Sequence, residues 1–395
     1  MIFTRLYLDN IYCFKDFEVD LSFSRKVKNS TIPNEYLKDR KNFNYKRLIV
    51  LMGTNASGKT SLSRIMCALQ NFIGHIETSQ FPIKAIFDKS KPAKIIAEFV
   101  TTDEYIFNQL EIELSYEGVS HIKSLKLKSL EIGLNDSCNT MREKIKNNDS
   151  SVFKYYLDSK ADPKALDNFY SIKFDNDVFN YVSSENTNSI NKKVLNGNRN
   201  IDPNLLHKIL STFDPSIESV EGLKGTNSEN YKGYNIQFSN GDEVLIGVDD
   251  VLTTNKYERF SLGTYDALNI APFICSIIES TNNREKGLYF LDEKLASSHT
   301  ELECVSLYMM LSKLTENSQL FYTTHNYEVI RLNLPTHSFV FLGKDYCYST
   351  VNQPEKLGFT KNDRTLINYV KGNIFGTIPS TSNLDDIILE WITSP

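Results

Sequence analysis

The pattern of hydrophobic and polar residues predicts closely spaced strands and helices near the start of the chain. Residues 2–22 indicate two strands, the second of which alternates with period two. Residues 48–52 are continuously apolar, as in a strand that is buried on both faces. Residues 61–72 then carry apolar side chains at the spacing of one helix face. The chain is therefore predicted to pass from a buried strand into a helix through residues 53–60.

The segment between that strand and that helix has the sequence Gly-Thr-Asn-Ala-Ser-Gly-Lys-Thr, the phosphate-binding P-loop motif G-x-x-x-x-G-K-[ST]. Backbone N–H groups of such a loop surround phosphate oxygens, and the N-terminus of the helix adds a partial positive charge. We expect Lys59 to reach the β- and γ-phosphates of a nucleotide and Thr60 to ligate Mg²⁺. The other P-loop residues predicted to bind the nucleotide are Gly53, Asn55, Ala56, Ser57, Gly58 and Ser61.

An aromatic residue and a cation lie between the first two predicted strands. Phe14 and Lys15 are predicted to contact the adenine ring and the α-phosphate of the nucleotide. The alternative is a plain hairpin in which Phe14 belongs to the hydrophobic core. The sequence leaves both interpretations open.

A second anion-binding motif follows much later in the chain. Residues 258–264 place Ser261 and Gly263 immediately before a helix-like run. A serine at a helix start offers a hydroxyl group together with backbone N–H groups that have no partner within the helix. This Ser-x-Gly segment is therefore a candidate phosphate contact.

Two further apolar segments end in groups suited to hydrolysis. Residues 287–293 predict a strand that ends in two carboxylates, the Walker B pattern. Asp292 is predicted to hold Mg²⁺, and Glu293 to polarise the attacking water as general base. Residues 319–326 predict another strand, and His325 at its end is expected to hydrogen-bond the γ-phosphate and to keep the water and Glu293 in register.

The segments between these motifs predict the rest of the architecture. Residues 93–132 alternate as an antiparallel β meander. Residues 24–46 form a basic insertion with interleaved aromatic residues, which we expect to be a solvated loop; the alternative is a contact with nucleic acid or an acidic protein. Residues 134–249 are expected to be a mainly helical insertion that ends in a β-hairpin, and residues 346–395 a helical tail.

Composition and charge narrow the class of protein. The chain has 395 residues, of which 41% are hydrophobic and 24% charged, as is typical of a soluble globular protein. The formal net charge of -5 disfavours a general nucleic-acid coat. Six cysteines without a C-x-x-C pair fit a reducing compartment, and we find neither a secretory signal nor an apolar run of membrane-spanning length. We therefore expect a cytoplasmic protein with no membrane partner.

The P-loop, the Ser-x-Gly signature, the Walker B pair and the histidine follow one another as in ABC-type ATPase heads. The chain resembles the SMC/RecF/OLD group of these heads in residues 1–23, 47–132 and 250–345. The run from Asp292-Glu293 to His299 is similar to the motif D-E-x-x-x-x-L-H-P of the OLD-like branch, but Ser298 and Thr300 replace its leucine and proline. The resemblance implies an α/β P-loop ABC-ATPase head, in which a mixed nucleotide-binding lobe with an antiparallel meander is joined to a mainly helical insertion.

The same resemblance implies how the chain is divided and what it does. Residues 1–133 would form ATPase lobe I and residues 250–345 lobe II, on either side of the insertion. The activity would be that of an ATPase, which converts ATP and water into ADP and phosphate with Mg²⁺ as cofactor. Two copies would form a homodimer, or a higher homo-oligomer, in which Ser261 and Gly263 of one copy cap the ATP bound by the other.

The chain also resembles the ATP-binding subunits of bacterial anti-phage systems such as PARIS and Septu, in which an ATPase assembly holds or gates a nuclease. Roughly 50 residues follow Gly343, too few for a TOPRIM nuclease domain, so the effector is expected to be a separate chain. We expect a sensor and scaffold that controls this toxic partner, with a nucleic acid or a phage protein as trigger. The alternative is a DNA repair or recombination ATPase of the RecF or SMC kind that clamps DNA.

Overall fold

A computed structural model describes the chain except for residues 25–29, 75–85, 118, 149–152, 157–171, 173, 175–177, 184–200, 225–230, 248–261, 296–297, 360–365, 380 and 394–395. The strands are β1 (Ile2–Asp9), β2 (Phe17–Asp20), β3 (Tyr36–Leu37), β4 (Arg40–Asn44), β5 (Leu48–Gly53), β6 (Ala93–Thr101), β7 (Ile106–Glu117), β8 (Val119–Glu131), β9 (Phe153–Tyr156), β10 (Val178–Ser183), β11 (Ile217–Lys224), β12 (Tyr231–Phe238), β13 (Glu243–Gly247), β14 (Gly287–Asp292), β15 (Gln319–Thr324), β16 (Phe339–Asp345) and β17 (Tyr348–Asn352). The helices are α1 (Lys59–Ile73), α2 (Cys138–Asn147), α3 (Pro203–Phe213), α4 (Leu262–Asn283), α5 (Thr300–Ser312), α6 (Leu366–Lys371) and α7 (Ser382–Thr393), with 3-10 helices at Tyr327–Arg331 and Thr336–Ser338.

One of the two large sheets, the antiparallel sheet, has the strand order β2-β1-β6-β7-β8-β9. Its register places Leu6 opposite both Val19 and Ala97. Apolar residues alternate along these strands because one face packs on the core and the other carries polar and charged side chains. The meander predicted for residues 93–132 corresponds to β6, β7 and β8, which are paired antiparallel.

The other large sheet, the central sheet, has the order β10-β14-β15-β5-β16-β17. Its first five strands are parallel, and β17 closes the edge antiparallel to β16. Every residue of β5, β14 and β15 is buried, which explains why their sequences are apolar without alternation.

Each face of the central sheet packs into its own hydrophobic core. Residues such as Ile49 and Leu51 face α1 and the antiparallel sheet. Residues such as Leu48 and Val50 face the opposite core, which includes α4, α5, α3 and the small sheet β11-β12-β13. The central sheet therefore lies between two layers, as in other α/β domains. The predicted mixed α/β class is confirmed.

The insertion in residues 134–249 is not mainly helical in its described part. It contains α2 and α3, but also the five strands from β9 to β13, and β10 joins the central sheet beside β14. Strand β12 alternates from Tyr234 to Phe238, with Ile236 fully buried. In β11 the buried residues Ile217 and Val220 lie three apart, and the register shifts within the strand, so the sequence of β11 lacks the period-two pattern that predicts a strand.

Two other expectations about segments need correction. The described part of the basic insertion in residues 24–46 is not a solvated loop, because β3 pairs with β4 and both Phe43 and Tyr45 are fully buried in a third core with α2. Residues 346–395 contain α6 and α7, but also β17, so a boundary at residue 345 divides the hairpin of β16 and β17. Within the described residues, no helix is long and apolar enough to cross a membrane.

We expect Arg142→Ala to destabilise the fold, because Arg142 ties α2 to the antiparallel sheet. Its guanidinium donates hydrogen bonds to Glu98 Oε2 at 2.7 Å and to Asp20 Oδ1 at 3.0 Å. Removing one partner of a buried pair costs about 3–5 kcal/mol, and the lower end applies here because Arg5 also contacts Glu98. Urea denaturation should show this loss for Arg142→Ala, whereas Lys146→Ala, at an exposed position of α2, should change the free energy of unfolding by less than about 0.5 kcal/mol.

The same ion pair should make stability depend on pH. Burial raises the pKa of Asp20, but the charge and hydrogen bonds of Arg142 and the hydrogen bonds from Ser22 outweigh burial and hold the pKa below its ordinary value. The resulting stability is present above the unfolded pKa of about 3.9 and is lost as the pH falls through the lower folded value. The difference in unfolding free energy between wild type and Arg142→Ala should therefore shrink in acid, and a difference independent of pH would contradict this assignment.

Candidate functional site

The P-loop segment lies at an edge of the central sheet where several predicted site residues meet. Strands β14, β15 and β5 are parallel neighbours, so their carboxyl ends lie side by side. These ends deliver the Walker B carboxylates, His325 and the P-loop to one place. Such an edge is where ligands bind in open α/β sheets.

The start of α1 offers its backbone N–H groups to this edge. Gly58 precedes the helix in the left-handed conformation, with φ of 100°, and Ala56 has φ of 60°. No side chain caps the helix, and its first turn contains no acidic residue. The first N–H groups of a helix have no partner within it, and together with the helix dipole they favour a bound anion.

Two positions of the loop require glycine, Gly53 because of a close approach to a backbone carbonyl and Gly58 because of its φ of 100°. A Cβ atom at Gly53 would lie 2.2 Å from the carbonyl oxygen of Leu342 in β16. A Cβ atom at Gly58 would lie 2.6 Å from Ser349 Oγ in β17. Ser349 Oγ in turn donates a hydrogen bond to the carbonyl oxygen of Ser57 at 2.7 Å. The hairpin of β16 and β17 therefore supports the loop from behind.

Lys59 lies at the centre of the site with only 4% of its side chain exposed. Its Nζ donates to the carbonyl oxygens of Gly53, at 3.0 Å, and Thr54, at 3.1 Å. It also lies 3.0 Å from Glu293 Oε1. A buried ammonium group requires such partners, and these fix the position of Lys59 Nζ beside the P-loop.

Asp292 is fully buried at the end of β14. Its Oδ1 accepts a hydrogen bond from Thr323 Oγ1 at 2.7 Å, and its Oδ2 accepts one from Ser63 Oγ at 3.1 Å. Burial raises the pKa of Asp292, as does the charge of Glu293, although hydrogen bonds from Thr323, Ser63 and Thr60 oppose the rise. The structure thus brings Asp292 and Thr60, the two predicted metal ligands, into contact.

Glu293 and His325 meet beside the loop. Glu293 adopts φ of 53°, a left-handed conformation that is strained for a residue with a Cβ atom and is common at functional sites. Its N–H donates to Thr323 Oγ1 at 2.8 Å, which fixes this turn. His325 Nδ1 lies 4.0 Å from Glu293 Oε1, and 55% of the imidazole side chain is exposed.

A cleft of about 640 Å³ lies over the P-loop and reaches Glu293, whereas Asp292 and His325 are not part of its lining. Its lining includes every predicted P-loop residue from Asn55 to Ser61, together with Glu293. The residues that the sequence did not identify are Tyr12, Cys13, Phe87 and Lys344. Tyr12 and Phe87 supply the aromatic surfaces of this cleft.

The prediction that Phe14 contacts the base is contradicted by its position. Phe14 is fully buried, and its ring lies 4.5 Å from that of Phe17, centroid to centroid. The alternative interpretation as a core phenylalanine is therefore the correct one. Lys15 is exposed, with Nζ 5.0 Å from the ring centroid of Tyr348, which in turn lies beside Phe87. The predicted nucleotide contact of Lys15 stays a prediction.

The Ser-x-Gly signature is only partly visible. Ser261 lies outside the described residues, whereas Gly263 is half-buried in the first turn of α4. One turn further, Asp266 forms a buried ion pair with Lys294, at 3.2 Å. Because Lys294 directly follows Glu293, this pair joins the start of α4 to the end of the Walker B strand.

The groups present fit a triphosphate with a magnesium ion. Ser57 Oγ is buried inside the loop and has no hydrogen-bond partner there, so an anion held by the loop would supply one. Thr60 and Asp292 offer a hydroxyl and a carboxylate, the oxygen ligands that Mg²⁺ prefers. Among the described residues, no group of three His, Cys, Asp or Glu side chains forms a metal cage. Mg²⁺ sites that also use phosphate oxygens need only one or two protein ligands.

Sequence reasoning missed several residues of the site for identifiable reasons. Ser63 follows Thr60 by three residues, and helix periodicity places both on one face, so this contact with Asp292 was accessible from the sequence. Thr323 and Ser349 carry no motif of their own. They reach the site only because β15 adjoins β14 and β17 folds back on β16.

Comparison with known proteins gives likenesses in structure only. No protein-family model matches the chain, and no curated protein matches it. A crystal structure of an SMC head bound to the C-winged helix domain of ScpA is 12% identical, with a TM-score of 0.49, and the match covers 91% of this chain and 99% of that one. A structure of the recombination mediator protein RecF with ATP is 14% identical, with a TM-score of 0.40, covering 82% and 92%.

The chain is thus structurally similar to SMC and RecF heads at low sequence identity.

Gly53→Ala should destabilise the protein by about 1–3 kcal/mol, because the new methyl group would overlap a backbone carbonyl that cannot rotate away. Gly372→Ala is the matched control, since its Cβ would meet its nearest atom at 3.4 Å, an ordinary contact. Thermal denaturation of both variants measures the difference. Equal stability of the two variants would show that the loop is not pressed against β16 as described.

Proposed function

We propose that the chain is a P-loop ATPase that binds ATP with Mg²⁺ and hydrolyses it to ADP and phosphate. The observation that carries this proposal is the contact of Lys59 with Glu293 at 3.0 Å beside the buried Asp292. A phosphate-binding lysine, a metal-binding carboxylate and a candidate general base then lie at one edge of the sheet. These are the groups that phosphoryl transfer to water requires.

Each residue has a role that follows from its position. The loop N–H groups and Lys59 would bind the β- and γ-phosphates, and Thr60 and Asp292 would hold Mg²⁺. When bound, Mg²⁺ neutralises charge on the phosphate oxygens. A phosphate that binds Lys59 competes with Glu293 for the ammonium group. This exchange frees the Glu293 carboxylate to accept a proton from water, while His325, 4.0 Å away, orients the same groups.

We further propose that two copies enclose the nucleotide. Ser261 and Gly263 of one copy would cap the phosphates bound by Lys59 and Thr60 of the other. Support comes from the motif and from the position of Gly263 in the first turn of α4, a helix start of the kind that binds anions. The Asp266–Lys294 pair ties this helix start to the neighbour of Glu293 in the same copy.

The cellular role rests on the sequence resemblance alone. We propose a sensor and scaffold that controls a separate nuclease, of the TOPRIM type, in anti-phage defence, with a nucleic acid or phage protein as trigger. Affinity purification from the native host with ATP and Mg²⁺ tests this, because a nuclease should co-purify. ATPase stimulation by duplex DNA without a partner chain would instead favour the DNA-clamping repair ATPase.

Lys59→Ala should abolish ATP binding, because it removes the buried cation that faces the phosphates. Equilibrium binding of labelled ATP with Mg²⁺ measures this, and the loss should exceed about 100-fold. Lys344→Ala, at the rim of the same cleft, is the control and should weaken binding far less. An unchanged affinity for Lys59→Ala would refute the P-loop assignment.

Glu293→Gln should keep ATP binding but lower turnover by at least about 100-fold, because an amide cannot accept the proton of water. The variant should also accumulate as an ATP-bound dimer in size-exclusion chromatography, since hydrolysis no longer separates the two copies. Phosphate release and the elution profile are the two measurements. Normal hydrolysis by Glu293→Gln would exclude Glu293 as the base.

A further inference from the structure

A buried carboxylate lies next to the catalytic edge without being part of it. Glu303 is in the first turns of α5, and only 1% of its surface is exposed. Its Oε1 accepts hydrogen bonds from the hydroxyl groups of Tyr322 and of Thr324, the latter at 2.7 Å. Its Oε2 accepts a hydrogen bond from Asn326 Nδ2 at 2.6 Å. All three donors belong to the end of β15 and the residues that follow it.

Three donors converge on the two side-chain oxygens of Glu303, so each oxygen accepts at least one hydrogen bond. Tyr322 remains a donor, because burial and the charge of Glu303 raise its pKa well above the ordinary value. Burying a carboxyl group is costly unless it is well hydrogen-bonded, and these three hydrogen bonds offset that cost. They also fix the side chains of Tyr322, Thr324 and Asn326 relative to α5.

Glu303 and its three partners Tyr322, Thr324 and Asn326, here called the Glu303 clamp, hold the chain on both sides of His325. Thr324 precedes this histidine and Asn326 follows it, and Glu303 binds both side chains. Asn326 is further fixed, because its N–H donates to Thr324 Oγ1 at 3.0 Å and its Oδ1 accepts from the N–H of Glu328 at 3.0 Å. The backbone around His325 is therefore immobilised, while its imidazole extends into solvent beside Glu293.

We propose that Glu303 is a positioning residue for His325, holding the imidazole at the distance from Glu293 that hydrolysis requires. Asn326 Nδ2 also lies 3.4 Å from Thr300 Oγ1, so the first residue of α5 is tied to the same loop. This inference rests on the proposed ATPase function. Glu303 is not part of the cleft lining, so it would act on hydrolysis through the position of His325.

The test compares steady-state ATPase kinetics of Glu303→Gln with wild type. Glutamine has the same shape, but its amide group would direct N–H bonds at one of the three donors, so the loop around His325 should shift. We expect kcat to fall at least about tenfold, with KM within about twofold, because a small misplacement of a catalytic group impairs the chemical step. Glu316→Gln, the same change at an exposed glutamate, should leave both constants unchanged.

A double-mutant cycle with His325→Ala separates positioning from general stability. If Glu303 acts through His325, Glu303→Gln should lower kcat no further in the His325→Ala background. An equal fold-loss in both backgrounds, or no loss in either, would overturn the proposal. Should Glu303→Gln fail to fold, Asn326→Ala removes one arm of the clamp and undergoes the same comparison. If the wild-type protein neither binds nor hydrolyses ATP, the proposed function is overturned, and this inference is overturned with it.

Discussion

The ammonium group of Lys59 is held between two backbone carbonyls and the carboxylate of Glu293, almost out of contact with water. A buried cation is stable only with such partners, and these partners come from two separate parts of the fold. The carbonyls belong to the end of β5 and the carboxylate follows β14, with β15 between them. The site therefore exists only when these three parallel strands are in register.

Support for this arrangement comes from segments far away in the sequence. The β16–β17 hairpin presses on Gly53 and Gly58, and Ser349 binds the loop through the carbonyl of Ser57. Ser349 Oγ also lies 2.9 Å from Cys13 Sγ, in the turn that precedes β2 of the antiparallel sheet. The turn between β1 and β2 and the β16–β17 hairpin thus both lie against the loop. These contacts explain why the glycine-rich segment holds a defined conformation. The strained backbone of Glu293 is held separately, by the hydrogen bond from its N–H to Thr323 Oγ1.

The parts of the molecule that sequence could predict are those governed by local rules. The P-loop, the two carboxylates after β14 and the histidine after β15 each combine a strand end with a chemical group, and the strands themselves are unmistakably apolar. The prediction that Phe14 contacts the base was wrong because a single aromatic residue in a turn can pack inward or outward. Its position depends on the tertiary packing of the core, which the local sequence does not determine. Strand β10 in the insertion and strand β17 in the tail were not predicted. Both lie at an edge of the central sheet, where the pattern of apolar residues is weak and the pairing involves residues distant in sequence. Glu303 could not be recognised because an acidic residue in the first turn of a helix is ordinarily a solvated, dipole-stabilising group.

Motifs in the sequence therefore predict the main residues of the site, but they do not predict the residues that hold these in place. Tyr12 and Phe87 line the cleft from turns, and Lys344 lines it from the end of β16, and no motif identifies any of the three. Ser63 and Thr323 fix Asp292, and the Glu303 clamp fixes the residues around His325. Pre-positioned groups of this kind lower the cost of organising a reaction at the moment it occurs.

The most direct measurement is an experimental structure with a non-hydrolysable ATP analogue and Mg²⁺. The account predicts that Lys59 Nζ will have left Glu293 for a phosphate oxygen, within hydrogen-bonding distance, and that Thr60 and Asp292 will flank the metal. An analogue bound elsewhere, with Lys59 still paired to Glu293, would contradict the central claim.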